Sequence, residues 1–151
     1  MAGHAPKLEI DASDLAVTIL VTSWHTEITD ALLAGAERSL KAAGNDVYSI
    51  VRVPGAFELP LAAKWAAEED ADVIIALGVV IQGETPHFEY VCNAATDGLT
   101  RVQLDYGVPI GFGLLTVDNA QQALDRAGLP NSKEDKGAEA VEAAVMMARL
   151  R

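Results

Sequence analysis

The chain has 151 residues, half of them hydrophobic and 22% charged, which is the length and composition of one folded domain with a full core, not of a disordered segment. Its net charge of −11 argues against nucleic acid or an anionic membrane as the main partner, and an anionic ligand would need a few local cations and backbone N–H groups to hold it. One cysteine, Cys92, excludes an internal disulfide and a cysteine metal cluster, and no stretch is long and apolar enough for a membrane span.

Residues 1–14 are mixed in character and lack the apolar segment of a signal peptide, so they are read as a tail, with Lys7–Ile10 able to pair as a short strand elsewhere. The domain proper is placed at 15–151 and the chain in the cytoplasm. Ala16–Ser23 is an apolar, β-branched run and reads as the first strand, with Trp24-His25-Thr26 at its carboxyl end. A helix follows to about Ala43, with Ile28, Leu32, Ala36 and Leu40 on one face and Gly44-Asn45 as the stop. Val47–Val53 reads as the second strand, and the turn Pro54–Glu58 leads into a helix marked by Leu59, Ala62, Ala63 and Ala66. Val73–Ile81 is almost unbroken in its apolar character, which suits a parallel strand buried on both faces. After Gln82-Gly83-Glu84, Thr85 reads as a helix cap and Pro86 as the first helical residue. The stripe Phe88, Val91, Cys92, Ala95, Leu99 and Val102 then carries that helix, with Cys92 as a small core residue. Val108–Val117 is a fourth strand, whose Gly111 and Gly113 stand where a side chain would be in the way. A short helix, Asn119–Ala127, a polar loop and a last helix from about Lys136 to Leu150 complete the chain. Strand and helix alternate throughout, which is the pattern of a doubly wound α/β domain with about four parallel strands.

Ligands of such sheets bind at the carboxyl ends of the strands, and a helix N-terminus attracts anions. The stretch 71–91 is therefore the expected active site. His87 stands in the first helical turn, where an imidazole either transfers protons beside a bound anion or simply serves as a polar helix start. Gly83-Glu84-Thr85 could offer N–H groups and a hydroxyl to a phosphate, or be a plain turn. Trp24, Phe57 and Phe112 are read at or near the same sheet edge, as stacking surfaces or as core. Arg126 and Glu58 fit helix dipoles as well as they fit a ligand, and Lys136 closes a charged loop. The three histidines, His4, His25 and His87, share no metal-ligand spacing, so no metal is expected.

The segments Val53–Pro60, Ala76–Val91 and Gly113–Gly128, with Asp135-Lys136-Gly137 near the end, together resemble the 6,7-dimethyl-8-ribityllumazine synthase family in order and spacing. The resemblance runs from Leu15 to Leu150. It implies a flavodoxin-like three-layer α/β/α sandwich with a four-stranded parallel sheet. It also implies condensation of 5-amino-6-ribitylaminouracil with 3,4-dihydroxy-2-butanone 4-phosphate, the penultimate step of riboflavin synthesis, without metal or organic cofactor. On matching positions, Trp24 is the aromatic that stacks on the pyrimidine, and Ala56, Phe57 and Glu58 hold the ribityl chain and ring edge. Val79, Val80 and Ile81 read the uracil through their backbone, Gly83, Glu84 and Thr85 form the phosphate-binding turn, and His87 transfers protons. Phe112, Arg126 and Lys136 match residues that a neighbouring subunit supplies, Arg126 holding the phosphate, in a homopentamer with sites between subunits. The 1–14 tail would then lend its strand to a neighbour.

Three departures stand out. Gln82 replaces an arginine usual before the turn, Trp24-His25 stands where Phe-Asn is common, and the loop Leu129–Lys136 is longer than in members that form sixty-subunit shells. The last predicts a free pentamer. Competing readings are the related riboflavin synthase of the same fold, a non-catalytic flavin or lumazine carrier, and a flavodoxin-like electron carrier. His87 and Arg126 together argue for a phosphate-bearing substrate and an enzyme.

Overall fold

The computed structural model describes Gly3, His4 and residues 9–151, so Lys7 and Leu8 of the expected tail strand lie outside the described residues. In chain order the elements are β1 (Val17–Thr22), α1 (Thr26–Ala42), β2 (Ser49–Val53), a single 3₁₀ turn (Ala56–Glu58), α2 (Leu59–Glu68), β3 (Val73–Ile81), α3 (His87–Tyr106), β4 (Ile110–Val117), α4 (Ala120–Leu124) and α5 (Lys136–Arg149). The four strands form one parallel sheet in the order β2-β1-β3-β4. Among the described residues, the outer edges of β2 and β4 have no partner strand.

The central strand owes its run of apolar residues to helices on both sides. Val73, Ile75, Leu77 and Val79 pack with Leu32, Ala36 and Leu40 of α1 and Val141 and Val145 of α5. Ile74 and Ala76 pack on the opposite face with Leu59, Ala63 and Ala66 of α2 and Ala95 and Leu99 of α3. The result is a three-layer α/β/α sandwich of the flavodoxin-like kind, as expected from the alternation of elements. Burying each Leu, Ile or Val of these two layers contributes roughly 1.5–3 kcal/mol.

Glycines bring α5 close to the sheet and to α1. A Cβ on Gly111 would lie 2.3 Å from the Ala140 carbonyl oxygen, and one on Gly113 would lie 2.5 Å from Leu77 Cδ2. The sequence reading of these two positions therefore holds. Gly137, in the first turn of α5, lies so near α1 that a Cβ would sit 2.1 Å from the Leu32 carbonyl oxygen. Asp135 caps α5 by accepting the Ala138 N–H at 3.1 Å, and its other carboxylate oxygen pairs with Arg38 at 3.1 Å.

Several boundaries differ from the sequence reading. β2 begins at Ser49, not Val47, because Asn45 Oδ1 takes the Val47 N–H at 3.1 Å and bends the chain before it reaches the ladder. α3 begins at His87 with Pro86 in the cap position, yet Thr85 Oγ1 still accepts the His87 N–H at 3.4 Å, so its hydroxyl serves the helix start. α4 stops at Leu124, because the chain turns back on itself: the Asp125 carbonyl accepts the N–H groups of Lys133 (2.7 Å) and Glu134 (3.0 Å). Arg126 therefore lies beyond that helix and not in its last turn. The segment before β1 is built into the domain: Ala12 is fully buried, and Asn45 Nδ2 donates to the Ala12 and Leu15 carbonyls at 2.9 and 2.8 Å. No helix among the described residues is long and apolar enough to cross a membrane.

Candidate active site

The strand order reverses between β1 and β3, since the chain leaves β1 towards β2 on one side and β3 towards β4 on the other. At such a switch point the connections diverge and leave a crevice beyond the carboxyl ends of the strands. Here it is a cleft of about 600 Å³, within the range of small-molecule sites. Trp24 and His25 enter it from the end of β1, Gly55–Glu58 from the end of β2, Val79–Ile81 from the end of β3, and His87, Tyr90 and Val91 from the first turns of α3.

Its walls are aromatic. Trp24 is 66% exposed, Phe57 65% and Tyr90 73%, and side chains this large left open around one cleft offer stacking faces for a flat ligand. The turns at the ends of β1 and β2 are tied together: the Ser23 hydroxyl donates to the Val53 carbonyl at 2.9 Å and the Ser23 N–H to the Pro54 carbonyl at 3.3 Å. That tie seats Trp24 against Gly55, where a Cβ would stand 3.3 Å from the indole Cδ1 and Nε1. Glu58 supplies the carboxylate of the cleft and His87 an imidazole on the side towards α3.

Eight of the predicted site residues thus meet in one cleft: Trp24, Ala56, Phe57, Glu58, Val79, Val80, Ile81 and His87. Gly83, Glu84 and Thr85 stand exposed on the turn between β3 and α3, and their N–H groups find no acceptor among the described residues. A Cβ on Gly83 would meet nothing within 4 Å, so the fold of one chain does not itself require glycine there. The remaining three lie apart from the cleft. Phe112 is the third residue of β4, in register with Ala76, so it sits towards the amino end of its strand and not at the carboxyl edge where the sequence reading put it. Its half-exposed ring lines a shallow groove with Thr96, Thr100 and Gln103 of α3. Arg126 Nη1 donates to the Gln122 carbonyl at 2.8 Å. Lys136 Nζ lies 2.8 Å from Glu134 Oε2 and 3.1 Å from Glu139 Oε1. The Lys136 ammonium holds the Glu134 carboxyl below its ordinary range, and Glu134 in turn raises the Lys136 amine.

His25, Gly55, Tyr90 and Val91 also line the cleft without having been singled out as site residues, although Tyr90 and Val91 lie within the stretch 71–91 read as the active site. Tyr90 and Val91 were within reach of helical arithmetic, because i+3 and i+4 from His87 share its face. Cys92 is half-buried, and burial raises its thiol pKa, which leaves it a poor nucleophile. Among the described residues no group of three or more His, Cys, Asp or Glu is placed to hold a metal ion.

A family model described as 6,7-dimethyl-8-ribityllumazine synthase matches residues 14–151. The chain belongs to that family. Relatives named 6,7-dimethyl-8-ribityllumazine synthase include one from Clavibacter sepedonicus, 58% identical over 99% of this chain and 96% of its own length. Another, from Leifsonia xyli subsp. xyli, is 61% identical over 92% of this chain and 87% of its own. A third, from Kineococcus radiotolerans, is 60% identical over 93% and 88%. Family membership makes the chain an enzyme of riboflavin biosynthesis.

Proposed function

We propose that this chain condenses 5-amino-6-ribitylaminouracil with 3,4-dihydroxy-2-butanone 4-phosphate, giving 6,7-dimethyl-8-ribityllumazine, phosphate and two molecules of water. The observation that carries the reading is the convergence of Trp24, Glu58, the end of β3 and His87 on one cleft at the switch point. Trp24 stacks on the pyrimidine, the backbone of Val79–Ile81 reads the uracil edge, and Ala56, Phe57 and Glu58 hold the ribityl chain. The open N–H groups of Gly83, Glu84 and Thr85 take the phosphate on the turn that starts α3.

The chemistry needs positioning and proton transfer more than a strong electrophile. The 5-amino nitrogen attacks the ketone and a first water leaves, forming a C=N bond. Phosphate then departs, and tautomerisation leaves a carbonyl next to that bond. The ribitylamino nitrogen attacks this carbonyl, and loss of the second water closes the ring. His87 moves protons between the nitrogen and oxygen atoms during these steps.

Phe112, Arg126 and Lys136 reach the site from a neighbouring protomer, in a homopentamer whose active sites lie between subunits. Two features support this: none of the three lines the cleft of its own chain, and a phosphate-binding site in so acidic a protein needs a cation that the cleft of one chain lacks. The long loop Leu129–Lys136 supports a free pentamer over a shell, and the absence of a long apolar helix among the described residues is compatible with a cytoplasmic enzyme.

Absorbance at the lumazine band during incubation with both substrates tests the reading. The wild-type protein forms product, and Arg126→Ala loses most of that rate, with the KM for the butanone phosphate raised. Ligand binding without turnover in the wild type would make the protein a carrier, and conversion of lumazine to riboflavin would make it the related synthase.

A further inference from the structure

His25 is the first candidate that the proposed chemistry leaves unused. It occupies the cap position of α1 with φ 56° and ψ 64°, the left-handed region that residues other than Gly, Asn and Asp seldom enter. A capping residue ordinarily stays extended and lends a side-chain oxygen to the helix N–H groups, but His25 makes no side-chain cap bond. Its carbonyl accepts the N–H groups of Ile28 (2.9 Å) and Thr29 (3.0 Å), the first bonds of α1, so the left-handed residue leads directly into the helix.

That turn has a geometric result. Successive side chains of an extended segment point to opposite sides, yet Trp24 and His25 both line the cleft. The two rings stand 6.4 Å apart with their planes at 44°, while Gly55 supports the indole on its other contact, with room for a Cβ only at 3.3 Å. Trp24 thus lies between the left-handed residue that starts α1 and a seat without a side chain.

We propose that His25 is a positioning residue, whose left-handed backbone, and not its imidazole, fixes the indole plane of Trp24 for stacking on the bound heterocycle. This deepens the function proposed above and rests on it.

The chain has two tryptophans, so a Trp65→Phe background leaves Trp24 as the sole indole reporter. Riboflavin serves as the probe, since it joins a flat ring system to a ribityl chain. Indole quenching by riboflavin is titrated in the parent and in His25→Asn, His25→Gly and His25→Val, alongside kcat and KM for the pyrimidine substrate. Asn and Gly accept the left-handed turn, and both should stay within about twofold of the parent in affinity and in quenching at saturation. Val rejects the turn, and should bind about five- to tenfold more weakly, the order of one stacking contact, with the loss in KM more than in kcat. Should the Val variant not fold, His25→Ala takes its place: Ala disfavours the left-handed turn without added bulk and should bind about two- to fivefold more weakly than His25→Gly.

Quenching indifferent to all these substitutions overturns the proposal. So do Asn and Gly variants as weak as Val, because the imidazole itself would then be the ligand contact. A parent that riboflavin does not quench overturns the heterocycle reading and this inference together, whereas a quenched parent with indifferent variants overturns this inference alone.

Discussion

Removing the Asp135 carboxylate should unlatch the start of α5. Its Oδ1 accepts the Ala138 N–H at 3.1 Å, and its Oδ2 pairs with Arg38 Nη2 at 3.1 Å. The group is boxed in by two glycines: a Cβ at Gly35 would fall 2.2 Å from Oδ1, and one at Gly128 would fall 2.6 Å from Cγ. Losing a capping side chain costs about 1 kcal/mol, and sometimes up to ~2. The ion pair adds only about 0.2–1 kcal/mol, since the Arg38 side chain is more than half exposed. Asp135→Ala should therefore lose roughly 2 kcal/mol, which in a chain of this length lowers Tm by about 4–8 °C. Asp135→Asn keeps a good capping oxygen and surrenders only the charge, so it should lose about 1–2 °C. Thermal melts at one fixed protomer concentration measure both, because assembly makes Tm depend on concentration. An Asn variant that melts as low as the Ala variant would refute the cap as the source of stability, and two unchanged melts would refute the latch altogether.

Gly137→Ala should be worse than its single methyl group suggests, losing about 1–3 kcal/mol by urea unfolding, because the new Cβ meets backbone of α1 (the Leu32 carbonyl oxygen at 2.1 Å) that no rotamer change relieves. His87→Ala should slow lumazine formation by roughly 10²-fold without abolishing it, since positioning survives the loss of the imidazole; complete loss of turnover in a folded variant would contradict this. The pair Glu134–Lys136 should stabilise the fold in a defined pH window. Glu134 has its pKa lowered from 4.5 by Lys136, so its contribution is present above the ordinary carboxylate value and is lost as pH falls through the lowered one. Lys136 has its pKa raised from 10.5 by Glu134, so its contribution is present below that value and is lost as pH rises through the raised one. The difference in Tm between wild type and Lys136→Met should accordingly be flat near neutrality and shrink at both extremes. Static light scattering should give the mass of five protomers, and a sixty-subunit particle would refute the role assigned to the loop Leu129–Lys136.

Where tertiary packing and local pattern agree, the sequence is a sufficient guide. β3 runs from Val73 to Ile81 as read, because burial on both faces leaves no polar position to blur its ends. The ends of β2 and α4 were hidden in side-chain and backbone bonds that no periodicity records: the Asn45 turn before Ser49 and the fold-back at Asp125. The cleft was legible at the carboxyl ends of the strands, since parallel order alone places Trp24, Phe57 and Ile81 together. His25 was not, because its role depends on a left-handed φ that a histidine does not announce. Phe112 misled the reading for a simpler reason: it lies well before Val117, where β4 ends, too far back along the strand to reach the edge that Trp24 and Phe57 share.

The position of α5 after all four strands bears on how the protein is made. Val141, Ala144 and Val145 close the sheet face on which Leu77, Leu115 and Val117 lie. Until the ribosome has released Lys136–Arg149, a nascent chain with all four strands still carries the β3–β4 part of that face, beside α1, open to solvent and to other chains. A message truncated before Lys136 would yield not a trimmed enzyme but a sheet whose β3–β4 side, beside α1, is uncovered, fit for chaperones and proteases. The core thus closes only when this fourteen-residue helix has followed the last strand, and the sheet cannot finish folding before it.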